Sequence, residues 1–310
     1  MSYHKNIVKK QDINFVSHSN ADRLTRGKIN VINCWMDNVS INLGTITEEG
    51  GKYAYISIDS ALQDLKSNKI DALVTAPINK KAMAMANFPY KGHTDYLTAQ
   101  YPDSNTLMFM VSDEIRVGVV TDHIPLAEVS STLTKELISN KLETMLQSLK
   151  MDFGILKPKV AILGLNPHAG DGGLIGNEDD EIVRPVVVEA KKKGEFVMGP
   201  FAADGFFGSG QFTKVDAILA MYHDQGLIPF KTLSFNRGVN FTAGMPIVRT
   251  SPSHGTAYEI AGKNEADATS FTKALFLAID TVRNRKEFKT MKEGAMVKKP
   301  KLPQEEQVST

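Results

Sequence analysis

The sequence predicts an α/β protein, and three observations support that class. Segments with strand-like and helix-like patterns alternate along the chain, which is typical of a mainly parallel sheet covered by helices. The 310 residues are 42% hydrophobic and 23% charged, which is sufficient for a large core in one or two domains. The 36 basic and 35 acidic side chains nearly balance, so the chain lacks the charge excess of a disordered protein or a nucleic-acid binder.

The first half of the chain alternates short strands with one helix. The segment 28–34 (KINVINC) predicts a strand because it contains several β-branched residues. The segment 57–69 places its apolar residues at helical spacing and predicts a helix, after which IDALVTAP (70–77) predicts a buried strand. Two further strands, 106–111 and 115–121, are separated by the turn-forming residues SDE.

The second half contains the strongest helical pattern of the chain. Within the helix predicted at 132–150, the apolar residues form a continuous stripe with a period of about 3.6 residues. A strand at 159–165, a helix at 178–193 that ends before a glycine, and a strand at 215–221 follow. A long helix predicted at 267–284 completes the alternation.

Features outside the periodic segments bear on location. The single cysteine, Cys34, cannot form an internal disulfide, which fits a reducing compartment. The apolar runs are far shorter than the roughly 18 to 20 residues that a membrane span needs, so the cytoplasm is the expected location. From Lys286 onward the periodicity is lost, and we expect this tail to be mobile.

Three histidines directly follow predicted strands. His123 comes after VGVVTD, His168 after ILGLNP and His223 after AILAMY. Ligands of open α/β sheets bind at the carboxyl ends of the strands, so these imidazoles are candidates to converge on a divalent metal. A single histidine at a strand end is more often a hydrogen-bonded structural residue, but three histidines that each follow a strand favour a ligand-binding site.

Two further features lie near predicted strand ends. The segment HAGDGGLIGNEDDE (168–181) is rich in glycine, which suits either a flexible loop that caps the next helix or an active-site loop that supports His168. Lys231, Asn240 and Arg249 lie in or beside glycine-rich segments. A guanidinium can bind a phosphate or carboxylate bidentately, although most lysines and arginines are solvated surface charges.

Seven strings, in order along residues 71–284, together resemble the 4-hydroxythreonine-4-phosphate dehydrogenase family. They are DALVTAPINKKAM, FPYKGHTDYL, VVTDHIPL, GLNPHAGDGGLIGNEDDE, GPFAADGFF, AMYHDQGLIPFK and RGVNFTAGMPIVRTSPSHGTAYEIAG. The resemblance implies the fold of isocitrate and isopropylmalate dehydrogenases, with two α/β/α domains around a cleft. The first domain would comprise residues 1–90 and 250–310 and carry the dinucleotide loop. The second would comprise 91–249, with the metal and substrate residues and the dimer interface.

The same resemblance implies a site for each component of a reaction. The divalent metal, Zn, Mg or Co, would be shared between the subunits of a homodimer and bound by His123, His168 and His223. Substrate-binding roles fall on His93, Thr94, Lys231, Asn240 and Arg249. Similarity to the wider superfamily assigns the dinucleotide, NAD or NADP, to His254, Gly255, Ala257 and Asn264. Lys231 or Asp224 is expected to move a proton, and Asp204 to orient a metal-binding histidine.

The implied reaction is the oxidation of 4-phosphohydroxy-L-threonine by NAD or NADP, with decarboxylation to 3-amino-2-oxopropyl phosphate, in pyridoxal 5'-phosphate biosynthesis. A divalent ion at the substrate's hydroxyl would favour loss of hydride. It would then stabilise the enolate that forms when carbon dioxide leaves. Neither a nucleic acid nor a membrane is an expected partner.

Three alternatives stay open on the sequence alone. One is a sister dehydrogenase that acts on threonate 4-phosphate, erythronate 4-phosphate or a cyclic dihydrodiol carboxylate. Another is a zinc hydrolase, which would use the same histidines but would have no need of the dinucleotide loop. The family usually opens with a strand and a GD-x-x-GIG turn, and this sequence contains no such string. The start is therefore expected to lie inside the first domain, which makes a truncated, inactive member the third alternative.

Overall fold

The structure is a computed structural model that describes residues 2–9 and 12–294. The strands are β1 (Phe15–His18), β2 (Ile29–Ile32), β3 (Leu73–Val74), β4 (Leu107–Val111), β5 (Arg116–Thr121), β6 (Lys159–Leu163), β7 (Phe196–Phe201), β8 (Ala217–Tyr222), β9 (Val239–Ala243) and β10 (Arg249–Pro252). The helices are α1 (Ser2–Ile7), α2 (Glu48–Lys66), α3 (Lys80–Met85), α4 (His93–Ala99), α5 (Val129–Thr132), α6 (Lys135–Met151), α7 (Arg184–Lys192), α8 (Ala203–Gly208), α9 (His223–Leu233) and α10 (Thr269–Glu293).

Eight of the strands form one sheet in the order β3-β10-β9-β4-β5-β8-β6-β7, and β1 and β2 form a separate parallel pair. The α/β class is therefore confirmed. The sheet is mixed rather than mainly parallel, because β9 runs antiparallel to β10 and β4, and β4 runs antiparallel to β5. The turn between β4 and β5 is too short for the crossover that a parallel pair requires, which explains this difference.

Helices cover both faces of this sheet. On one face, α6 and α7 bury Leu142 and Val186 in the same cluster as Val120 of β5. On the other face, α8 and α9 bury Phe206 and Leu227. A third cluster joins α2, α3 and α4 beside β3. These clusters hold the strand ends that carry the candidate site residues.

The helix predicted at 57–69 begins earlier than expected, at Glu48 in α2. Thr47 caps the helix, since its hydroxyl accepts a hydrogen bond of 3.1 Å from the backbone N–H of Gly50. Gly50 and Gly51 are consecutive glycines near the start of α2, and glycine in a helix is unfavourable. However, α2 packs closely on α3 at Gly51, where an added Cβ would overlap the carbonyl of Ala82. The glycine pair therefore permits close helix packing and does not end the helix.

The C-terminal helix is also longer than predicted. α10 continues beyond residue 284 to Glu293, so the tail expected to be mobile from Lys286 is helical over its first residues. Lys286 forms an ion pair with Asp71 at 3.0 Å, and the Thr290 hydroxyl donates to the Lys286 carbonyl at 3.0 Å. The rest of that predicted tail, 295–310, lies outside the described residues.

The division into two domains stays a prediction. β3, from the predicted first domain, pairs in parallel with β10 and lies at one end of the sheet. Across the described ranges 2–9 and 12–294, no helix is both long enough and apolar enough to cross a membrane.

Candidate active site

The carboxyl ends of β5 and β8 bring two of the predicted metal ligands together. These strands pair in parallel, with Thr121 opposite Tyr222 at their ends. His123 follows β5 and His223 is the first residue of α9, and the centroids of their rings are 5.6 Å apart. The His123 side chain is exposed and that of His223 is partly exposed. Two accessible imidazoles at this spacing are suited to bind one metal ion.

Hydrogen bonds fix the junction between β8 and α9. The Asp224 carboxylate lies 2.7 Å from Nδ1 of His223, which is the contact that commonly orients a metal-binding imidazole. Gln225 accepts a hydrogen bond from the Met221 backbone N–H at 2.7 Å and donates to the Gly164 carbonyl at 2.6 Å. The first turn of α9 is thereby tied to β8 and to the end of β6.

Asp204, predicted to orient a metal-binding histidine, lies exposed in the first turn of α8. It forms no hydrogen bond with any of the three histidines, and its role stays a prediction. In the described part of the chain, the contact with His223 is made by Asp224 instead.

The third predicted ligand, His168, lies in an unusual left-handed turn. Every residue from His168 to Gly172 has a positive φ, including Ala169 and Asp171. Such a run is costly for residues with a Cβ and is found where the surrounding structure enforces it, often at functional sites. Asp179 fixes the backbone that enters this turn: it is fully buried and accepts hydrogen bonds from the backbone N–H groups of residues 165 and 166.

One chain does not assemble the complete predicted metal site. Within residues 2–9 and 12–294, no group of three histidine, cysteine, aspartate or glutamate side chains is placed to hold one ion. His123 and His223 are close together, and His168 is exposed on its own loop. The donor types fit a divalent metal, but the described residues of one chain do not bring the three predicted ligands together.

A second group of predicted residues surrounds a buried positive charge. Arg249, the first residue of β10, has only 3% of its surface exposed. Its guanidinium donates to the hydroxyls of Thr75, at 2.8 and 3.2 Å, of Thr94, at 3.3 Å, and of Thr242, at 3.4 Å. Burial lowers the pKa of Arg249 to about 10, so the group is still charged at neutral pH. No carboxylate of the described residues forms an ion pair with it.

His93 lies beside this cation at the start of α4. Burial, with a further contribution from the charge of Arg249, lowers the pKa of His93 to about 4. The imidazole is therefore neutral at pH 7 and can donate or accept a hydrogen bond without adding charge. The structure thus brings together three of the predicted substrate residues, His93, Thr94 and Arg249. An unpaired buried cation among neutral groups is suited to bind an anion.

The other predicted residues lie on neighbouring elements. Asn240 is half-buried on β9, opposite Ser251 of β10. Lys231 is exposed on α9 and lines a cavity of about 530 Å³ together with three predicted dinucleotide residues: His254, Gly255 and Ala257. Asn264 is exposed, has a φ of 60°, and does not line that cavity.

Larger cavities of about 820 and 740 Å³ contain none of the predicted site residues. Reasoning from sequence missed Thr75, Thr242 and Gln225, which contact predicted site residues or fix their positions. For Thr75 and Gln225 the available signal was a place near the end of a predicted strand, which many threonines and glutamines share, and Thr242 lies on β9, a strand that the sequence did not predict.

Comparison with known proteins finds close relatives of this chain. Residues 2–278 match the family model described as pyridoxal phosphate biosynthetic protein PdxA. The chain is 47% identical over 285 residues to a 4-hydroxythreonine-4-phosphate dehydrogenase of Bacteroides thetaiotaomicron, and the match covers 92% of this chain and 78% of that protein.

Two solved structures show the range of similarity. A 4-hydroxythreonine-4-phosphate dehydrogenase from Klebsiella pneumoniae is 32% identical, with a TM-score of 0.77, over 90% of this chain and 86% of the other. A terephthalate 1,2-cis-dihydrodiol dehydrogenase from Burkholderia xenovorans LB400 is 25% identical, with a TM-score of 0.62, over 83% and 82%.

Proposed function

The chain belongs to the PdxA family of pyridoxal phosphate biosynthetic proteins, and we propose that it oxidises 4-phosphohydroxy-L-threonine with NAD or NADP. It is an enzyme of the oxidoreductase class. The proposed reaction continues with decarboxylation to 3-amino-2-oxopropyl phosphate. The expected location is the cytoplasm, where pyridoxal phosphate would be made.

The observation that carries this proposal is the unpaired, buried Arg249. A charged group out of water requires compensation, and here the described neighbours are hydroxyls and a neutral imidazole. An acidic substrate would supply the missing negative charge through a short, charge-assisted hydrogen bond. His93 and Thr94 would contact the same substrate because they flank the guanidinium at the start of α4.

The groups that would move the proton lie on α9. Asp224 is engaged by His223 at 2.7 Å, so its carboxylate is better suited to orienting that imidazole than to accepting the hydroxyl proton. Lys231 lies nearer the end of the same helix and lines the cavity that holds the dinucleotide candidates. We therefore assign proton transfer to Lys231, between the substrate and the proposed dinucleotide site.

The cofactors would supply the remaining chemistry. The dinucleotide, bound by residues that include His254, Gly255 and Ala257, would accept the hydride, and a divalent ion held by the three histidines would polarise the substrate's hydroxyl.

A homodimer would complete the metal site. His123 and His223 of one chain would be joined by His168 of a second copy. Each histidine segment also carries a strongly exposed apolar side chain: Leu126 at 73%, Leu174 at 83% and Ile228 at 63%. A contiguous exposed apolar patch marks a surface that another protein covers, and these three side chains would contribute to one. A second copy would cover them and bring in the third ligand.

A second candidate is oxidation of a dihydrodiol carboxylate, which is favoured by the likeness to the Burkholderia xenovorans dihydrodiol dehydrogenase. That substrate has an acidic group for Arg249 but no phosphate. Threonate and erythronate 4-phosphate, which lack the amino group, are the remaining candidates within the family's chemistry.

The experiment is to supply the protein with NAD or NADP, a divalent metal and each of these acids in turn, and to follow the absorbance of the reduced dinucleotide. We expect 4-phosphohydroxy-L-threonine to give the highest kcat/KM. Faster turnover of the dihydrodiol carboxylate would assign the second function, and no reduction with any acid by folded protein would contradict both.

A further inference from the structure

One edge of the Arg249 guanidinium is held by a single hydroxyl. Both Nε and Nη2 donate to Oγ1 of Thr75, at 3.2 and 2.8 Å. These two N–H groups point the same way from a planar guanidinium, so one acceptor between them fixes the orientation of the plane. The remaining contacts, from Nη1 to Thr94 and Thr242, are longer, at 3.3 and 3.4 Å.

Because the two Nη1 contacts are the longest, an anion that binds along the terminal edge, formed by Nη1 and Nη2, would replace these contacts and leave the Thr75 pair in place. A carboxylate or phosphate binds arginine most strongly through two parallel hydrogen bonds. Such bonds are strongest when the plane already points toward the ligand, because a freely rotating guanidinium loses entropy when it binds.

We propose that Thr75 is a positioning residue that aims Arg249 at the acidic group of the substrate. The proposal rests on the proposed function, in which Arg249 binds that group. Thr75 acts through the guanidinium that it holds, and its hydroxyl rather than its bulk is what matters.

The fold fixes Thr75 for this task. The residue directly follows β3, only 6% of its surface is exposed, and its backbone N–H donates to the carbonyl of Thr250 at 3.0 Å. Thr250 is the neighbour of Arg249 in β10, so the two partners are joined through adjacent strands as well as through their side chains. A β-branched side chain on such a backbone has few accessible rotamers.

Thr242 provides a matched control for the experiment. It is also a threonine, is buried with 2% of its surface exposed, and lies on β9 beside β10, but it accepts one long hydrogen bond from Arg249 instead of two shorter ones. Thr75→Val and Thr242→Val each remove one hydroxyl from a buried position and leave the volume almost unchanged. The difference between the two variants isolates the two Thr75 hydrogen bonds.

We expect Thr75→Val to raise the KM for the acid roughly tenfold to a hundredfold, the value of a lost hydrogen bond to a charged group. Thr242→Val should raise it by less than about threefold, and Thr75→Ser, which keeps the hydroxyl, should stay near the wild type. The KM for the dinucleotide should not change in any of the three. Equal effects of the two valine variants, or failure of serine to restore KM, would overturn the proposal.

A second readout separates this proposal from the identity of the substrate. Inorganic phosphate, used as a probe, should raise the unfolding temperature of the wild type and of Thr75→Ser but not that of Thr75→Val. If the wild type oxidises none of the acids, the proposed function fails while this comparison still decides the role of Thr75. If phosphate fails to distinguish the serine from the valine variant, Thr75 is not a positioning residue. Thr75→Cys, with a similar volume and a poor acceptor, replaces the valine variant if that variant does not fold.

Discussion

Two regions differ in what a single chain provides. One is the histidine edge, where His123 and His223 lie at the ends of β5 and β8, and the other is the Arg249 pocket, where His93 and three threonine hydroxyls surround the guanidinium. At the edge, His123 and His223 are accessible and lie 5.6 Å apart, but the third predicted ligand is on a separate loop. In the pocket, Arg249 is buried and already held by three hydroxyls of the same chain. Under the proposed function, one region is prepared for an anion within a single chain, whereas the other would be completed by a second chain.

This contrast separates two ways of building a polar site. A buried charge must be oriented by its own framework, because rearrangement inside a packed sheet is costly. Exposed imidazoles have no such constraint, and a ligand from a second protein surface can join them when the two surfaces bind. The comparison predicts that changes at the edge affect turnover with little effect on stability, and that changes in the pocket affect substrate binding.

The largest effect should follow loss of the predicted metal ligand that lies on its own loop, away from the histidine edge. We expect His168→Ala to reduce turnover by about a thousandfold or more, since a metal contributes several kcal/mol to the transition state. The free energy of unfolding should change by less than about 0.5 kcal/mol because the side chain is exposed. Steady-state kinetics and urea denaturation test this, with His4→Ala, an exposed histidine of α1, as the control. Full activity in His168→Ala would remove His168 from the metal site.

A smaller effect on catalysis is expected in the pocket. Arg249→Met should lower kcat/KM by roughly a hundredfold to a thousandfold through loss of a bidentate charged contact. It should leave stability unchanged or increased, because the buried charge has no ionic partner to lose.

Arg285 is the matched comparison for that variant. Its Nε lies 2.6 Å from an oxygen of Asp152, which is fully buried. Arg285→Met leaves this carboxylate without its partner and should cost about 3 kcal/mol of stability with kcat/KM unchanged. Kinetics and denaturation of both variants check the contrast. A large loss of stability in Arg249→Met would show that Arg249 is structural.

The smallest effect is the pH dependence of folding stability that arises from His93 in the Arg249 pocket. Burial and the charge of Arg249 hold the pKa of folded His93 at about 4, below the ordinary value of about 6.5 for an unfolded chain. Between these values the unfolded chain binds a proton that the folded chain does not. Stability is therefore full above about pH 6.5 and falls as the pH decreases toward 4, by at most about 3 kcal/mol. Denaturation of the wild type and of His93→Gln across this range tests it, and identical pH profiles would contradict the assigned pKa.

The sequence predicted the parts of the fold that have a clear period. The stripe of α6 and the apolar strands β5, β6 and β8 were found because burial on the sheet or against a helix imposes a regular pattern. β9 and β10 were missed since their polar residues, Arg249 among them, interrupt that pattern although they are largely buried. The start of α2 was missed because a glycine pair looks the same whether it breaks a helix or permits close packing.

For the site, placement at strand ends selected the three histidines, glycine-rich surroundings selected Arg249, and the family resemblance assigned substrate-binding roles to Arg249 and His93. None of these could give distances. His123 lies beside His223 because β5 pairs with β8. This pairing depends on the order of the strands in the sheet, which the pattern of a single sequence does not show. Thr75 was not predicted because threonines near strand ends are common. Its role depends on contact with Arg249 of β10, which is distant in sequence.

The most direct test of the contrast is to mix inactive variants. If His123 and His223 come from one subunit and His168 from the other, a mixed dimer of His123→Ala and His168→Ala subunits has one intact site. Random reassociation should then restore roughly a quarter of the wild-type activity. A mixture of His123→Ala with His223→Ala should stay inactive, because every site lacks one ligand. No recovery in the first mixture, or equal recovery in both, would contradict a metal site completed by the second copy.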